Sequence, residues 1–235
     1  MSDLGEYLFK ADRNREVPAP ECLLLADGLL ANCCGNLGDN QNLTSARLFQ
    51  FGFGSWRAAV QLALSGITAQ VPVVLRHALE CAEYSYAIAK QPDLEDIWWN
   101  RHENAQAKAV LRNKKNLRTV ALRMLSDEDS NLCSKLKKAT DDLIDMGAHP
   151  NVMMFVDHSD ELQSEMVDSY TTKLIAGLEA RNSAIVQACG ISVLMCQIYR
   201  LVWPIRFGAA QEEMLVEIVG QSKLFLDWHH SHDYS

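Results

Sequence analysis

Apolar residues recur at three- and four-residue spacing along most of this chain, which is the period of an amphipathic helix. Turn-forming residues interrupt the period, most clearly over 35–42 and 204–208. No regular alternation of strands and helices is visible, so a parallel-sheet fold is disfavoured. The pattern predicts an all-α fold, a single-domain multi-helix bundle, with helices over about 21–34, 55–90, 93–113, 130–147, 173–203 and 209–228.

Local signals mark where these helices begin and end. Ser55 is predicted to cap the long helical region, because its hydroxyl can accept hydrogen bonds from unpaired first-turn amides. Gly66 and Pro72 are predicted to divide or kink that region. The "SDED" stretch, 126–129, approximates a capping box, and Gly147 is expected to end the helix that follows it.

Residues 151–172 do not follow the helical period. "VMMFV" is short, apolar and compatible with a strand, and "HSDE" is typical of a turn. The segment therefore allows one small β-hairpin within the otherwise helical chain.

The most apolar predicted helix covers about 181–203. Its section from 184 to 203 is long enough to span a bilayer. It also contains Gln187, Gln197 and Arg200, and an arginine in hydrocarbon is costly. A helix that is apolar on all sides is equally what the centre of a large bundle requires. We interpret it as the central helix of a protein with no membrane partner, with Arg200 on its rim or in a buried pair.

The same pattern predicts the domain organisation. The charged N-terminal residues 1–20 are expected to form a flexible leader ending in "PAP". A single helical domain is predicted over 21–228, because no linker or repeat divides it. Residues 229–235 are expected to be a flexible C-terminal tail.

Charge and cysteine content narrow the function classes. The 235-residue chain has a formal net charge of -8, which disfavours extensive nucleic-acid binding. One basic run, "RNKKNLR" over 112–118, could form a local patch but is more typical of a solvated helix end. Seven cysteines without a C-x-x-C motif, and an N-terminus without an apolar signal core, indicate a cytoplasmic protein with reduced thiols.

Four residues are candidate catalytic side chains: Arg76, Glu80, Arg101 and His149. Arg76 and Glu80 are four residues apart on one helix, so they can form an ion pair beside the core. Such a pair is usually structural. Convergence with Arg101 and with His149, whose imidazole titrates near neutrality, would instead provide phosphate contacts and an acid or base.

Three short motifs carry a family resemblance. "LRHALE" at 75–80, "IWWNR" at 97–101 and "GAHPNV" at 147–152 resemble bacterial helical proteins akin to the HEPN superfamily, with the match extending over about 55–205. That superfamily includes ribonucleases of toxin–antitoxin and antiphage systems. Its ribonuclease signature places a histidine four to six residues after an arginine, and no arginine of this chain meets that spacing. The resemblance therefore implies the fold more than the activity.

No cofactor or metal is expected. The chain has no Walker A loop, dinucleotide-binding glycine motif, H-E-x-x-H or G-x-S-x-G. His229, His230 and His232 are potential zinc ligands, but a terminal run offers no rigid surroundings for a specific site.

Two functions remain as hypotheses. The first is a non-enzymatic module that binds a protein partner or a second copy of itself. Its contact surface would be the apolar stripe of the last helix, formed by Met214, Leu215, Ile218, Val219 and Phe225. The second is a HEPN-like enzyme acting on nucleotides or RNA. We favour the first, because it requires only exposed apolar side chains and the second lacks its signature motif.

Overall fold

A computed structural model describes residues 4–37, 42–103, 116–148, 159–163, 168–172 and 174–232. These residues form an all-α bundle with one small antiparallel hairpin, as follows: α1 Leu4–Asn14, α2 Glu21–Gly35, α3 Leu43–Ser65, α4 Val71–Lys90, α5 Asp93–Trp99, α6 Leu117–Glu128, α7 Ser130–Leu143, β1 Ser159–Gln163, β2 Asp168–Thr172, α8 Leu178–Val202 and α9 Ala209–His232. Short 3-10 turns occupy Thr68–Gln70, Asn100–His102 and Pro204–Arg206, and a π-helical turn occupies Ile144–Ala148. The predicted fold class is confirmed.

The apolar helix α8 lies at the centre of the bundle. It packs against α2, α3, α4, α7 and α9. The indole of Trp56 in α3 donates a 2.7 Å hydrogen bond to the carbonyl oxygen of Ala188, which ties the two helices together inside the core. Among the described residues, α8 is also the one helix long and apolar enough to cross a membrane, and 56% of its most apolar window is buried inside the fold. Core helices of soluble proteins have the same property.

The predicted start of the long helix at Ser55 is wrong. Helix α3 begins at Leu43, and the side chain of Asn42 accepts a 2.8 Å hydrogen bond from the amide of Ser45. Ser55 lies in mid-helix. In the sequence, the two glycines of "GFGSW", residues 52–56, suggest a turn. In the structure, Gly52 lies inside α3 at a point where α3 and α4 approach closely. A Cβ atom there would be 2.9 Å from the carbonyl oxygen of Ala78.

The helix predicted over 93–113 ends at Trp99, its part beyond residue 103 lies outside the described residues, and α6 lies outside every predicted helix. The glycine and proline signals agree better with the structure. Gly66 ends α3 with a φ of 81°, and Pro72 lies in the first turn of α4, so the long region is divided as predicted. The predicted capping box is wrong, because Ser126 lies inside α6 and Asp129 itself caps α7 by accepting a 2.9 Å hydrogen bond from the amide of Leu132. Gly147 has a φ of 117° in the turn after α7.

Both ends of the chain contain helix within the described residues. Residues 4–14, assigned to the leader from the sequence, form α1. The side chain of Asn14 donates a 3.0 Å hydrogen bond to the carbonyl oxygen of Ser65 at the end of α3. Helix α9 continues to His232, four residues past the predicted end of the domain. The hairpin strands lie inside the segment that breaks the helical period, but Ser159, Asp160 and Glu161 of the predicted "HSDE" turn belong to β1, where Glu161 pairs with Tyr170. The predicted strand "VMMFV" lies outside the described residues.

Candidate functional site

Arg76 and Glu80 form an ion pair on the outer face of α4. The Nε of Arg76 lies 3.0 Å from the Oε1 of Glu80, and the two side chains are 25% and 29% exposed. Leu75 and Leu79, on the adjoining face, are buried in the core. The pair therefore lies at the boundary of the core, where the sequence pattern predicts it.

A second, deeper ion pair begins one turn further along α4. Glu83 has no exposed surface, and its Oε2 accepts a 3.0 Å hydrogen bond from the Nε of Arg118 on α6. An Nη of Arg118 donates a 2.7 Å hydrogen bond to the hydroxyl of Thr140 on α7. Thr140 in turn donates to the carbonyl oxygen of Leu136. This chain of contacts joins α4, α6 and α7.

Burial raises the pKa of Glu83 to about 7, although the charge of Arg118 acts to lower it. The second carboxylate oxygen, Oε1, has no hydrogen-bond partner within the described part of the chain. A carboxyl group that titrates near neutrality can serve as a general acid or base. Glu83 has no exposed surface through which a substrate could reach it, so its position suits a helix-joining role better than a catalytic one.

Arg101 lies close to this cluster but has a different contact. It follows α5, and its guanidinium carbon lies 4.8 Å from the ring centroid of Trp98. Burial raises the pKa of Tyr84, the charges of Glu80 and Glu83 raise it further, and Arg101 lowers it. Arg101 is therefore within electrostatic range of α4. Of the four candidate residues, the structure brings Arg76 and Glu80 into contact. His149 lies outside the described residues, so the convergence of all four residues stays a prediction.

His77, next to Arg76 in sequence, points to a different helix. Its Nδ1 lies 2.9 Å from the hydroxyl oxygen of Ser55 on α3, and its ring nitrogens lie 3.8 and 3.9 Å from the sulfur of Cys81. Burial raises the pKa of Cys81 to about 11, so the thiol stays protonated at neutral pH and is not an activated nucleophile. These contacts join α3 to α4.

The last helix presents a mixed face to solvent. Val216, Val219 and Leu224 are 74%, 56% and 62% exposed, while Leu215 and Ile218 are buried against the bundle. The same exposed face carries Glu213, Glu217, Gly220, Lys223 and Asp227. We call these eight outward-facing residues of α9 the α9 face. It differs from the stripe predicted from the sequence, because Leu215 and Ile218 are buried and Met214 and Phe225 pack against the core. Val219 is the one residue of that predicted stripe that is exposed.

Metal ligands do not cluster in the described part of the chain. No group of three or more His, Cys, Asp or Glu side chains there is arranged to hold a metal ion. The side chains of the C-terminal histidines are outside that description.

The fold and the site define an all-α bundle with a packed core helix, an ion-paired α4 and an exposed apolar last helix. Comparisons with protein-family models, curated proteins and solved structures give no match to this chain.

Proposed function

We propose that this chain is a cytoplasmic, non-enzymatic interaction module that associates with a second copy of itself through the α9 face. One observation carries the proposal. The exposed apolar side chains Val216, Val219 and Leu224 share the α9 face with an acidic residue, Glu217, and a basic one, Lys223. Apolar groups on a helix that also carries separated opposite charges favour pairing with an identical helix in the reverse direction.

The residue spacing of α9 fits a two-fold axis at Gly220. In an antiparallel pair of identical helices centred there, Val216 of one copy faces Leu224 of the other. Glu217 of one copy then lies across the seam at the same height as Lys223 of the other, and symmetry repeats both pairings. A Cβ at Gly220 would have no atom within 4 Å, so this position lets two backbones approach closely.

The arrangement leaves Glu213 of each copy facing Asp227 of the other. Both residues are exposed, so solvent and salt screen this repulsion, and it weakens the dimer without preventing it. A contact between two helices buries less than the ~1,200 Å² of a standard stable interface. We therefore expect a weak, reversible dimer with a Kd on the order of micromolar.

The alternative, a HEPN-like enzyme acting on nucleotides or RNA, needs Arg76 and Arg101 to be available to phosphate. Arg76 is ion-paired to Glu80, and Arg101 stacks on Trp98. Glu83 is fully buried. These contacts support helix packing as the role of the cluster, and so support the interaction module.

Charge reversal on the α9 face tests the proposal by sedimentation equilibrium. Glu217→Lys and Lys223→Glu should each weaken the dimer by about tenfold, because one substitution converts both symmetric attractions into repulsions. The double variant, Glu217→Lys with Lys223→Glu, should restore wild-type association. Glu213→Lys is the matched control and should strengthen the dimer, because it converts the Glu213–Asp227 repulsion into attraction.

A monomeric wild-type protein at concentrations of about 100 μM would contradict the proposal, as would a double variant that fails to recover. The same samples should be screened for ribonuclease and nucleotide-hydrolysing activity. Turnover that is lost in Arg76→Ala would favour the enzyme instead.

A further inference from the structure

An apolar pocket of about 580 Å³ opens between α8, α9 and the connection from α1 to α2. Its volume lies within the range of about 300–1,000 Å³ that is common for small-molecule sites. Its apolar lining includes Val17, Leu64, Leu178, Ile185, Leu224 and Phe225. Val17, Leu178 and Leu224 are exposed, so apolar surface extends from the interior of the pocket to its rim.

One cationic side chain, Arg181, lines this apolar pocket. Its guanidinium donates to two backbone carbonyl oxygens, those of Asn14 and Leu64, each at 3.0 Å. It also donates to the side-chain oxygen of Asn14 at 3.3 Å. All three acceptors are neutral. The contacts hold the guanidinium in place without balancing its charge.

The Nε of Arg181 is buried and has no hydrogen-bond partner within the described residues. An arginine has five N–H donors, so the three contacts also leave one Nη hydrogen free. Glu21 lines the pocket too, but it is exposed and forms no ion pair with Arg181. A partly buried cation without an anion is unfavourable, and a bound anion would relieve that cost.

We propose that this pocket binds a small amphipathic carboxylate, such as a medium-chain fatty-acid anion. The carboxylate accepts hydrogen bonds from the unused donors of Arg181, since arginine and carboxylate form strong charge-assisted pairs. The aliphatic chain occupies the apolar interior between Leu64, Ile185 and Phe225 and extends toward the rim. This site goes beyond the proposed self-association. Leu224 belongs both to the α9 face and to the rim of the pocket, whereas neither Glu217 nor Lys223 lines the pocket.

Calorimetry with ligands of equal chain length tests the charge requirement on the wild-type protein. We expect dodecanoate to bind at least about tenfold more tightly than dodecyltrimethylammonium, because the head groups differ in charge sign. Dodecanol measures the contribution of the chain alone. Dodecanoate that binds no better than the cation would overturn the proposal, and this comparison requires no substitution.

Variants then locate the contact. Arg181→Gln should weaken dodecanoate binding by at least about tenfold and leave dodecanol binding nearly unchanged. Arg57→Gln removes an exposed arginine paired with Asp27, outside the pocket, and should bind like wild type. Leu178→Asp places a negative charge at an exposed rim position and should weaken dodecanoate binding more than dodecanol binding. This variant keeps the test available if Arg181→Gln fails to fold. A folded Arg181→Gln protein that binds dodecanoate as tightly as wild type would refute the assignment.

Discussion

Glu83 connects three helices with a carboxyl group that has no exposed surface. Its folded-state pKa of about 7 lies above the ordinary value of 4.5, because burial disfavours the charged form more than Arg118 favours it. Between these two pH values the folded protein holds a proton that the unfolded chain has released. The contribution of Glu83 to the free energy of unfolding is therefore fully present below pH 4.5 and is lost as the pH rises through 7.

This titration predicts a specific pH dependence of stability. The wild-type free energy of unfolding should fall by up to about 3 kcal/mol between about pH 4.5 and pH 8, measured by urea unfolding. Glu83→Gln should lose this dependence because its amide does not titrate. Glu80→Gln is the matched control on the same helix and should retain it. An identical pH profile in Glu83→Gln and wild type would show that another group is responsible.

The Arg76–Glu80 pair is expected to be structural but modest in strength. Each side chain keeps about a quarter of its surface exposed, so solvent screens the attraction. Arg76→Ala and Glu80→Ala should each reduce stability by about 0.5–1 kcal/mol, and the double variant should cost less than their sum. Urea unfolding of the three variants measures the coupling. Single variants as stable as wild type that lose a binding or enzymatic activity would instead assign the pair to a functional site.

These two ion pairs show what residue-level sequence reasoning can reach. Arg76 and Glu80 are one helical turn apart, so their contact follows from the geometry of a helix. Glu83 and Arg118 are 35 positions apart and belong to different helices. Arg118 also lies in a basic run that is typical of a solvated helix end, yet only 25% of its side chain is exposed. Only the packing of α6 on α4 determines that contact.

At the scale of elements, the glycines of α3 separate helix propensity from packing. Gly52 and Gly54 belong to the same helix, so replacing either with alanine gains the same intrinsic preference of about 1 kcal/mol. A Cβ at Gly52 would meet the oxygen of Ala78 at 2.9 Å, the Cβ of Cys81 at 3.1 Å and the Cε of Met195 at 3.2 Å. A Cβ at Gly54 would meet no atom within 4 Å.

The two substitutions should therefore change stability in opposite directions. Gly54→Ala should raise the free energy of unfolding by about 0.5–1 kcal/mol. Gly52→Ala should lower it by about 1–3 kcal/mol, because backbone oxygen and packed side chains must move apart. Thermal unfolding of both variants checks the prediction. If Gly52→Ala were also stabilising, α3 and α4 would not be as closely packed as described.

This contrast explains which elements the sequence could predict. Helix α8 is apolar on nearly all sides, so the sequence pattern alone identifies it. The start of α3 could not be predicted, because glycines in sequence suggest a turn while close helix packing requires them inside a helix. That requirement appears only when α4 is placed against α3.

At the scale of the molecule, one apolar core includes residues of α2, α3, α4, α6, α7, α8 and α9. Helices α6 and α7 pack on each other as a helical pair. Three polar contacts hold them to α4. Glu128 of α6 accepts hydrogen bonds from Tyr86 at 2.7 Å and from Lys90 at 2.8 Å, and Arg118 pairs with Glu83.

We therefore predict that the whole bundle unfolds in one cooperative transition, which two native thiols can report. Cys133 lies buried between α6 and α7, where its sulfur donates to the oxygen of Leu122 at 3.2 Å, and Cys196 is buried in α8. Pulsed thiol labelling through a urea titration should give both residues the same midpoint, coincident with the loss of helical circular dichroism. Labelling of Cys133 well below the midpoint of Cys196 would mean that α6 and α7 open first. In that case Glu83→Gln, which weakens the link from α4 to α6, should widen the gap between the two midpoints.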